Sequence, residues 1–148
     1  MKQRLIDAYM KTAETFAELS HARRLHVGAI VVKDDRIISI GYNGMPAGWD
    51  NNCEDEIGHV LDVDENVVEI RLKTKPEVLH AESNAIAKLA KSTNSGHGAT
   101  MFITHAPCME CAKLIYQSGI GHVLYRSAYR DNSGIAFLEK SNVKVEQI

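Results

Sequence analysis

The second half of the chain alternates between helical and strand-like segments, and this pattern restricts the fold more than any other feature. The segments are a helix over His80–Lys91, a strand over Thr100–Thr104, a helix that starts in PCMEC and runs to Ser118, a strand over 122–127, a short helix over 134–141 and a strand over 143–148. Gly119 fits the position after a helix C-terminus. Helices between successive strands favour parallel pairing. We therefore predict a three-layer α/β/α fold with a five-stranded mixed sheet, helices on both faces and parallel later strands.

The first half is expected to add one helix and a hairpin to this sheet. Apolar residues recur at helical spacing over residues 2–20, and two β-rich segments follow at His26–Val32 and Arg36–Asn43. The segment GYNGMPAGWDNN is typical of an irregular loop. Seven acidic residues and no Lys or Arg occupy Asp50–Glu65, which predicts an exposed and mobile insertion. Residues 67–73 fit either a strand or a helix.

Length and charge exclude several classes of protein. With 148 residues and 45% hydrophobic content, the chain is expected to form one domain, residues 1–148. The net charge of −2 gives no basic field for polymeric nucleic acid, although a local group of cations would suffice for a small anion. No apolar run approaches the roughly 20 residues of a membrane span, and the N-terminus lacks the apolar core of a signal peptide. We therefore expect a cytoplasmic protein that binds no membrane.

Two of the three cysteines, Cys108 and Cys111, are three positions apart at the start of a predicted helix. At this spacing both thiolates can reach one metal ion, and the helix N-terminus favours their anionic form. Zinc normally takes four ligands, and His80, also at a predicted helix start, is the best candidate for a third. One His and two Cys leave a position for water, which is typical of catalytic rather than structural zinc.

Glu82 follows His80 by two residues and would face the bound water without binding the metal. Two alternatives remain open, because a C-x-x-C pair also occurs in structural zinc sites and in redox pairs. A structural site would need a fourth ligand, for which Cys53, His97 or His105 is available. Neither alternative gives Glu82 a role, whereas H-x-E followed by P-C-x-x-C is the signature of zinc-dependent nucleobase deaminases.

That signature implies a mechanism. Zinc lowers the pKa of a bound water from about 16 towards 7, so hydroxide is available at neutral pH. Hydroxide would attack C4 of a cytosine ring, while Glu82 takes the proton of the water, delivers it to ring N3 and helps ammonia to leave. The backbone around Ala81 and Cys108 would hold the edge of the base.

Four segments extend the pattern beyond the zinc motif: VGAIVV, GYNGMPAGWDNNCE, HAESNAIAKLA and PCMECAKLIYQSGI. Together and in this order they resemble the deoxycytidylate (dCMP) deaminases of phages and bacteria. The resemblance implies a cytidine-deaminase-like fold and the conversion of dCMP to dUMP with release of ammonia, which feeds thymidylate synthesis. A free nucleoside, guanine or a tRNA base remains an alternative substrate, and a non-catalytic zinc module remains an alternative class.

The same resemblance implies roles for individual residues. His80, Cys108 and Cys111 match the ligands of one Zn²⁺ per chain, Glu82 matches the proton shuttle, and Asn43 matches a position that contacts the nucleotide. It also implies a homohexamer that dCTP activates with Mg²⁺ and dTTP inhibits; dCTP as a substrate stays open. The effector-binding residues that it predicts are Tyr42, Asn43, Gly44, Met45 and Asn51. A phage-encoded member would act in the host cytoplasm.

A nucleoside monophosphate also requires cations for its phosphate. We predict phosphate contacts from Ser20, Arg23 and Arg126, in part across a subunit boundary, and a further substrate contact from Tyr125. Each arginine is more often just a solvated charge. In the GYNG segment, Gly41 and Gly44 would let the backbone approach a ligand closely, although a tight turn would give the same pattern.

Overall fold

The structure is a computed structural model that describes all residues from Met1 to Ile148. Its elements follow in this order: α1 (Gln3–Ala17), β1 (Gly28–Lys33), β2 (Arg36–Tyr42), β3 (Glu54–Leu61), β4 (Val67–Thr74), α2 (Ala81–Ala90), β5 (Thr100–His105), α3 (Met109–Gln117), β6 (His122–Ser127), α4 (Ser133–Lys140) and β7 (Lys144–Gln147). The first helix ends three residues before Ser20, because the amides of residues 18–20 bond to carbonyls only three positions back. None of the four helices has the length and apolar character that crossing a bilayer requires.

The central sheet has five strands in the order β2-β1-β5-β6-β7. Strand β1 is antiparallel to both β2 and β5, whereas β5, β6 and β7 run parallel to one another. The predicted mixed sheet with parallel later strands is therefore confirmed. Helices α3 and α4 make the crossovers between the parallel strands, since such pairs need long connections.

Helices cover both faces of this sheet, which confirms the three-layer α/β/α architecture. On one face α1 packs through Met10 and Ala13 against Ile30, Phe102 and Leu124. The other face is covered by α2, α3 and α4 through buried residues: Ala81, Ala85, Leu89, Ala112, Ile115 and Leu138. Helices α2 and α3 lie side by side in this layer, so their first turns can share one site.

Strands β3 and β4 form a separate two-stranded sheet, residues 54–74, which we call the arm. The ambiguous segment 67–73 is thus a strand, and part of the acidic segment is its partner. Every residue from Leu61 to Ile70 is exposed, which confirms the predicted exposure at the tip; mobility of the insertion stays a prediction. At the base, however, Glu54 is buried, so the acidic segment is not exposed throughout.

Candidate zinc and catalytic site

The first turns of α2 and α3 bring three metal-binding side chains together. His80 and Cys108 are the residues that immediately precede these two helices, and Cys111 lies in the first turn of α3. The Nδ1 atom of His80 is 3.3 Å from the sulfur of Cys111 and 3.6 Å from that of Cys108. All three potential ligand atoms lie within 4.8 Å of one another. The predicted grouping of these residues is therefore present in the fold.

This set of side chains fits zinc in chemistry and spacing. Tetrahedral zinc, with bonds of about 2.3 Å to sulfur and about 2.05 Å to nitrogen, separates the two ligand atoms by about 3.6 Å. The observed nitrogen–sulfur distances of 3.3 and 3.6 Å are close to this value. A cluster of three protein ligands leaves a fourth position for water, as in catalytic zinc sites.

The electrostatics of the two thiols also favour a bound cation. The pKa of Cys108 is lowered to about 4, first because its sulfur accepts a hydrogen bond from the Cys111 thiol and second because of the bond with His80. The same interaction with Cys108, followed by burial, raises the pKa of Cys111. Both become thiolates when a positive charge offsets their repulsion, which is what zinc provides.

Glu82 is the buried acid of this site. Its side chain is 4% exposed, and burial raises the pKa of its carboxyl above the ordinary value. It lines the same cavity as His80 and Cys108 but is not a member of the three-residue cluster. A carboxyl that can hold a proton nearer neutral pH, beside a metal rather than bound to it, is suited to general acid–base catalysis.

Two glycines let the backbone close around the site. A Cβ at Gly41 in β2 would collide with the carbonyl oxygen of Ala81, in the first turn of α2. A Cβ at Gly134 in α4 would collide with the carbonyl oxygen of Pro107 and lie 2.9 Å from that of Cys108. The absence of a side chain at Gly41 therefore admits a helix rather than a ligand, which corrects the interpretation of that residue from sequence.

The remaining residues of the GYNG segment fasten the same helix start. Gly44 and Leu79 exchange two backbone hydrogen bonds of 3.0 and 2.8 Å, immediately before His80. The carbonyl of Tyr42 accepts a hydrogen bond from the side-chain amide of Asn84 at 2.8 Å. This segment therefore has a structural function at the metal site, in addition to the effector contacts that are predicted for it.

Asn43 and Ala81 both line the cavity, as expected of substrate contacts. The Asn43 side chain also shapes the cavity wall, because its oxygen accepts the N–H of Val27 and its amide donates to the carbonyl of Leu25, both at 2.8 Å. Leu25 and Val27 line the cavity themselves.

The cavity beside His80 and Glu82 has a volume of about 190 Å³. Arg24 is the only Lys or Arg that lines it, and its Nη1 donates a hydrogen bond to the Thr74 hydroxyl at 3.2 Å. Arg24, Thr74, His105 and Tyr129 all line the cavity but were not predicted as substrate contacts. Nothing in one sequence distinguishes Arg24 from Arg23, its neighbour, and Thr74 lies in the arm, whose strands the sequence only partly predicts.

Four predicted substrate contacts do not line the cavity of this chain: Ser20, Arg23, Tyr125 and Arg126. Arg23 pairs with Glu56 at 3.3 Å. Arg126 pairs with Glu14 at 3.0 Å. Ser20 and Tyr125 are buried. Their contacts with substrate stay predictions.

Part of the predicted effector region forms a surface groove of about 340 Å³. Its lining residues are Met45, Trp49, Asp50, Asn52, Lys75 and Glu77. Asn51 belongs to the same loop, and its carbonyl accepts a hydrogen bond from the thiol of Cys53 at 3.4 Å. Cys53 is buried. The groove thus combines one lysine with two carboxylates.

Comparison with known proteins agrees with this geometry. Residues 3–127 match the family model for the cytidine and deoxycytidylate deaminase zinc-binding region. The chain is 39% identical to human deoxycytidylate deaminase over 127 residues, covering 84% of this chain and 66% of the human protein. It is 36% identical to ComE operon protein 2 of Bacillus subtilis over 141 residues, covering 95% and 69%. The chain therefore spans about two thirds of the length of these relatives.

A solved structure matches over the full length. The dCMP deaminase of cyanophage S-TIM5, crystallised in complex with dCMP and dUMP, aligns with a TM-score of 0.86 and 44% identity, covering 100% of this chain and 99% of the phage chain. Fold, metal-binding residues and family match thus agree. The chain belongs to the cytidine and deoxycytidylate deaminase family of zinc enzymes.

Proposed function

We propose that this protein catalyses the hydrolytic deamination of dCMP to dUMP with release of ammonia, and so supplies dUMP for thymidylate synthesis. The observation that carries this proposal is the convergence of His80, Cys108 and Cys111 with the buried Glu82 at one cavity. The full-length likeness to a phage dCMP deaminase that was solved with dCMP and dUMP supports this substrate.

In the proposed mechanism, His80, Cys108 and Cys111 would hold zinc, which would supply an acidified water at neutral pH. Glu82 accepts a proton from the attacking water and donates it to ring N3, because burial keeps the pKa of its carboxyl raised. The same carboxyl then takes the second proton of that water from the hydroxyl added at C4 and passes it to the amino group. The C4–N bond breaks as the C4 carbonyl forms, so that water and dCMP become dUMP and ammonia. The enclosed position of Glu82 keeps bulk water from competing for its protons.

Arg24 is the proposed contact for the 5′-phosphate, because it supplies the only permanent positive side-chain charge among the cavity-lining residues. Asn43 and Ala81 line the same cavity and remain proposed substrate contacts. The other proposed contacts are Ser20, Arg23, Tyr125 and Arg126. Of these, the phosphate contacts Ser20, Arg23 and Arg126 would act in part across a subunit boundary.

Regulation forms a second part of the proposal. We propose that dCTP with Mg²⁺ activates the enzyme and dTTP inhibits it. The residues proposed to bind these effectors are Tyr42, Asn43, Gly44, Met45 and Asn51. In the adjoining groove, Lys75 would attract a triphosphate, whereas Asp50 and Glu77 would repel it unless Mg²⁺ bridged them. We further propose that the protein forms a homohexamer and accepts dCTP as a second substrate. We propose that it acts in the cytoplasm, which would be that of the host if the protein is phage-encoded.

A substrate panel tests the proposed reaction. Zinc-loaded protein is given dCMP, dCTP, deoxycytidine and guanine in turn, and ammonia and the deaminated product are measured. We expect the highest kcat/KM with dCMP. Preference for deoxycytidine or guanine would overturn the proposed substrate, and absence of turnover with every compound would indicate a non-catalytic zinc module.

A further inference from the structure

A buried carboxylate at the base of the arm has no part in the zinc site. Glu54 is 1% exposed. Its oxygens accept the backbone N–H of Arg23 at 2.8 and 3.1 Å and that of Arg24 at 2.7 Å. No Lys or Arg side chain forms an ion pair with this carboxylate. Burial of a carboxylate costs free energy, which hydrogen bonds to backbone amides offset. Glu54 therefore fixes the position of the turn at residues 23–24.

The arm holds Arg24 at two points. Glu54 of β3 binds the backbone N–H of Arg24, and Thr74 of β4 accepts a hydrogen bond from its guanidinium at 3.2 Å. Glu54 and Thr74 are direct partners in the register of the arm. One cross-strand pair thus fixes both the main chain and the charged end of the same arginine.

This clamp lies beside the substrate cavity. Arg24 and Thr74 line the cavity, whereas Glu54 does not. The arginine side chain has several rotatable bonds. A fixed backbone and a fixed hydrogen bond therefore reduce the entropy that the side chain loses when it binds an anion. If Glu54 and Thr74 served only to hold the arm against the rest of the domain, they would not need to contact the one arginine that lines the cavity.

We infer that Glu54 is a positioning residue, which holds Arg24 where its guanidinium meets the phosphate of the substrate. The inference rests on the proposed function, because it takes the substrate to be a nucleoside monophosphate. Glu54 acts through the main chain of residues 23 and 24, since it does not reach the cavity itself. The base of the arm is then part of the substrate site.

A double-mutant cycle with dCMP tests this inference. Glu54→Gln keeps the size of the side chain but replaces a carboxylate, which accepts hydrogen bonds through both oxygens, with an amide that has only one acceptor oxygen. The hydrogen bonds to the backbone N–H groups should weaken, and Arg24 should shift. We expect KM for dCMP to rise roughly tenfold while kcat changes little. Arg24→Gln should raise KM by at least as much. The double variant should match Arg24→Gln alone, because displacing an arginine that is already absent has no further effect.

Two further variants separate positioning from folding. Glu69→Gln removes an exposed carboxylate from the other strand of the arm, one that forms no ion pair, and should leave KM for dCMP unchanged. Glu54→Asp keeps the charge and should give a smaller rise in KM than Glu54→Gln. Failure of both Glu54 variants to fold would show a structural role and overturn the inference.

The cycle also separates this inference from the proposed function. Wild-type protein that does not deaminate dCMP would overturn the proposed function. The role of Glu54 alone would be overturned if wild-type protein deaminates dCMP normally but the two substitutions multiply their effects on KM in the double variant. The same would follow if the substitutions lower kcat and leave KM unchanged.

Discussion

The carbonyl oxygen of Ala81, in the first turn of α2, lies against Gly41 in β2 with no room for a side chain between them. The turn that carries Ala81 also carries His80 and Glu82. The distance between this strand and this helix therefore decides where His80 and the proposed catalytic acid, Glu82, lie.

Gly41→Ala should push α2 away from β2. Because the added Cβ meets backbone rather than a flexible side chain, we expect the free energy of unfolding to fall by about 1–3 kcal/mol and the zinc content to fall with it. Chemical denaturation and metal analysis measure both. Gly121→Ala is the control, since a Cβ there meets nothing within 4 Å; equal effects of the two substitutions would contradict this account.

Zinc content should be one ion per chain and should depend on the three clustered ligands. Cys108→Ser removes a thiolate and should abolish most zinc binding, as measured by metal analysis after dialysis. Cys53→Ser is the matched control, because Cys53 is buried away from the cluster and its thiol donates only to a carbonyl. Loss of zinc from Cys53→Ser, or two ions per wild-type chain, would contradict the proposed stoichiometry. Chelation should also lower the Tm of wild-type protein.

The edge of the sheet should contribute a pH-dependent stabilisation. Glu146 Oε2 lies 2.6 Å from His122 Nε2, and this hydrogen bond is the main reason why the pKa of Glu146 lies below its ordinary value of 4.5. A carboxyl with a lowered folded pKa stabilises the fold above its unfolded pKa, and this stabilisation is lost as pH falls through the folded value. The stability difference between wild type and Glu146→Gln should therefore shrink as pH falls from 6 to about 3.

The effect should be small because both side chains are partly exposed. Thermal unfolding over that pH range measures it. Glu139→Gln, which removes an exposed carboxyl with no ion pair, provides the control. A difference that grows towards acid pH would contradict the sign.

Inhibition by dTTP should be detectable at sub-saturating dCMP, where an allosteric ligand has most effect on rate. Lys75→Gln should weaken this inhibition roughly tenfold, because a charge-assisted contact with phosphate is lost. Lys73→Gln, two residues earlier, in β4, and outside the groove, should leave it unchanged. If dTTP neither binds nor lowers the rate, the proposed effector site is wrong.

The zinc site could be predicted from sequence because its parts are local. His80, Cys108 and Cys111 each lie at a helix start, and helix starts are readable from caps and periodicity. The layer order followed from the alternation of helices and strands in the second half. These features depend on short stretches of sequence and on the general rule that parallel strands are joined by helices.

The proposed phosphate contact, Arg24, was harder to predict because its position depends on a distant partner. Arg24 rather than Arg23 lines the cavity, and Glu54, thirty residues along the chain, binds the backbone of both residues at this turn. The many acidic residues of the arm also make its strands hard to recognise from sequence. Nothing in the sequence around Gly41 indicates that a helix packs against this residue. Such contacts are set by tertiary packing rather than by local pattern.

The most direct test of the account compares ammonia release from dCMP by wild-type protein and by Glu82→Gln at equal zinc content. We expect Glu82→Gln to retain one zinc ion per chain and to lose at least about 10²- to 10⁴-fold in kcat, because the buried proton carrier is gone. Glu110→Gln, an exposed acid between the two cysteines, should keep wild-type turnover. A Glu82→Gln protein that binds zinc and deaminates dCMP at the wild-type rate would contradict the central claim.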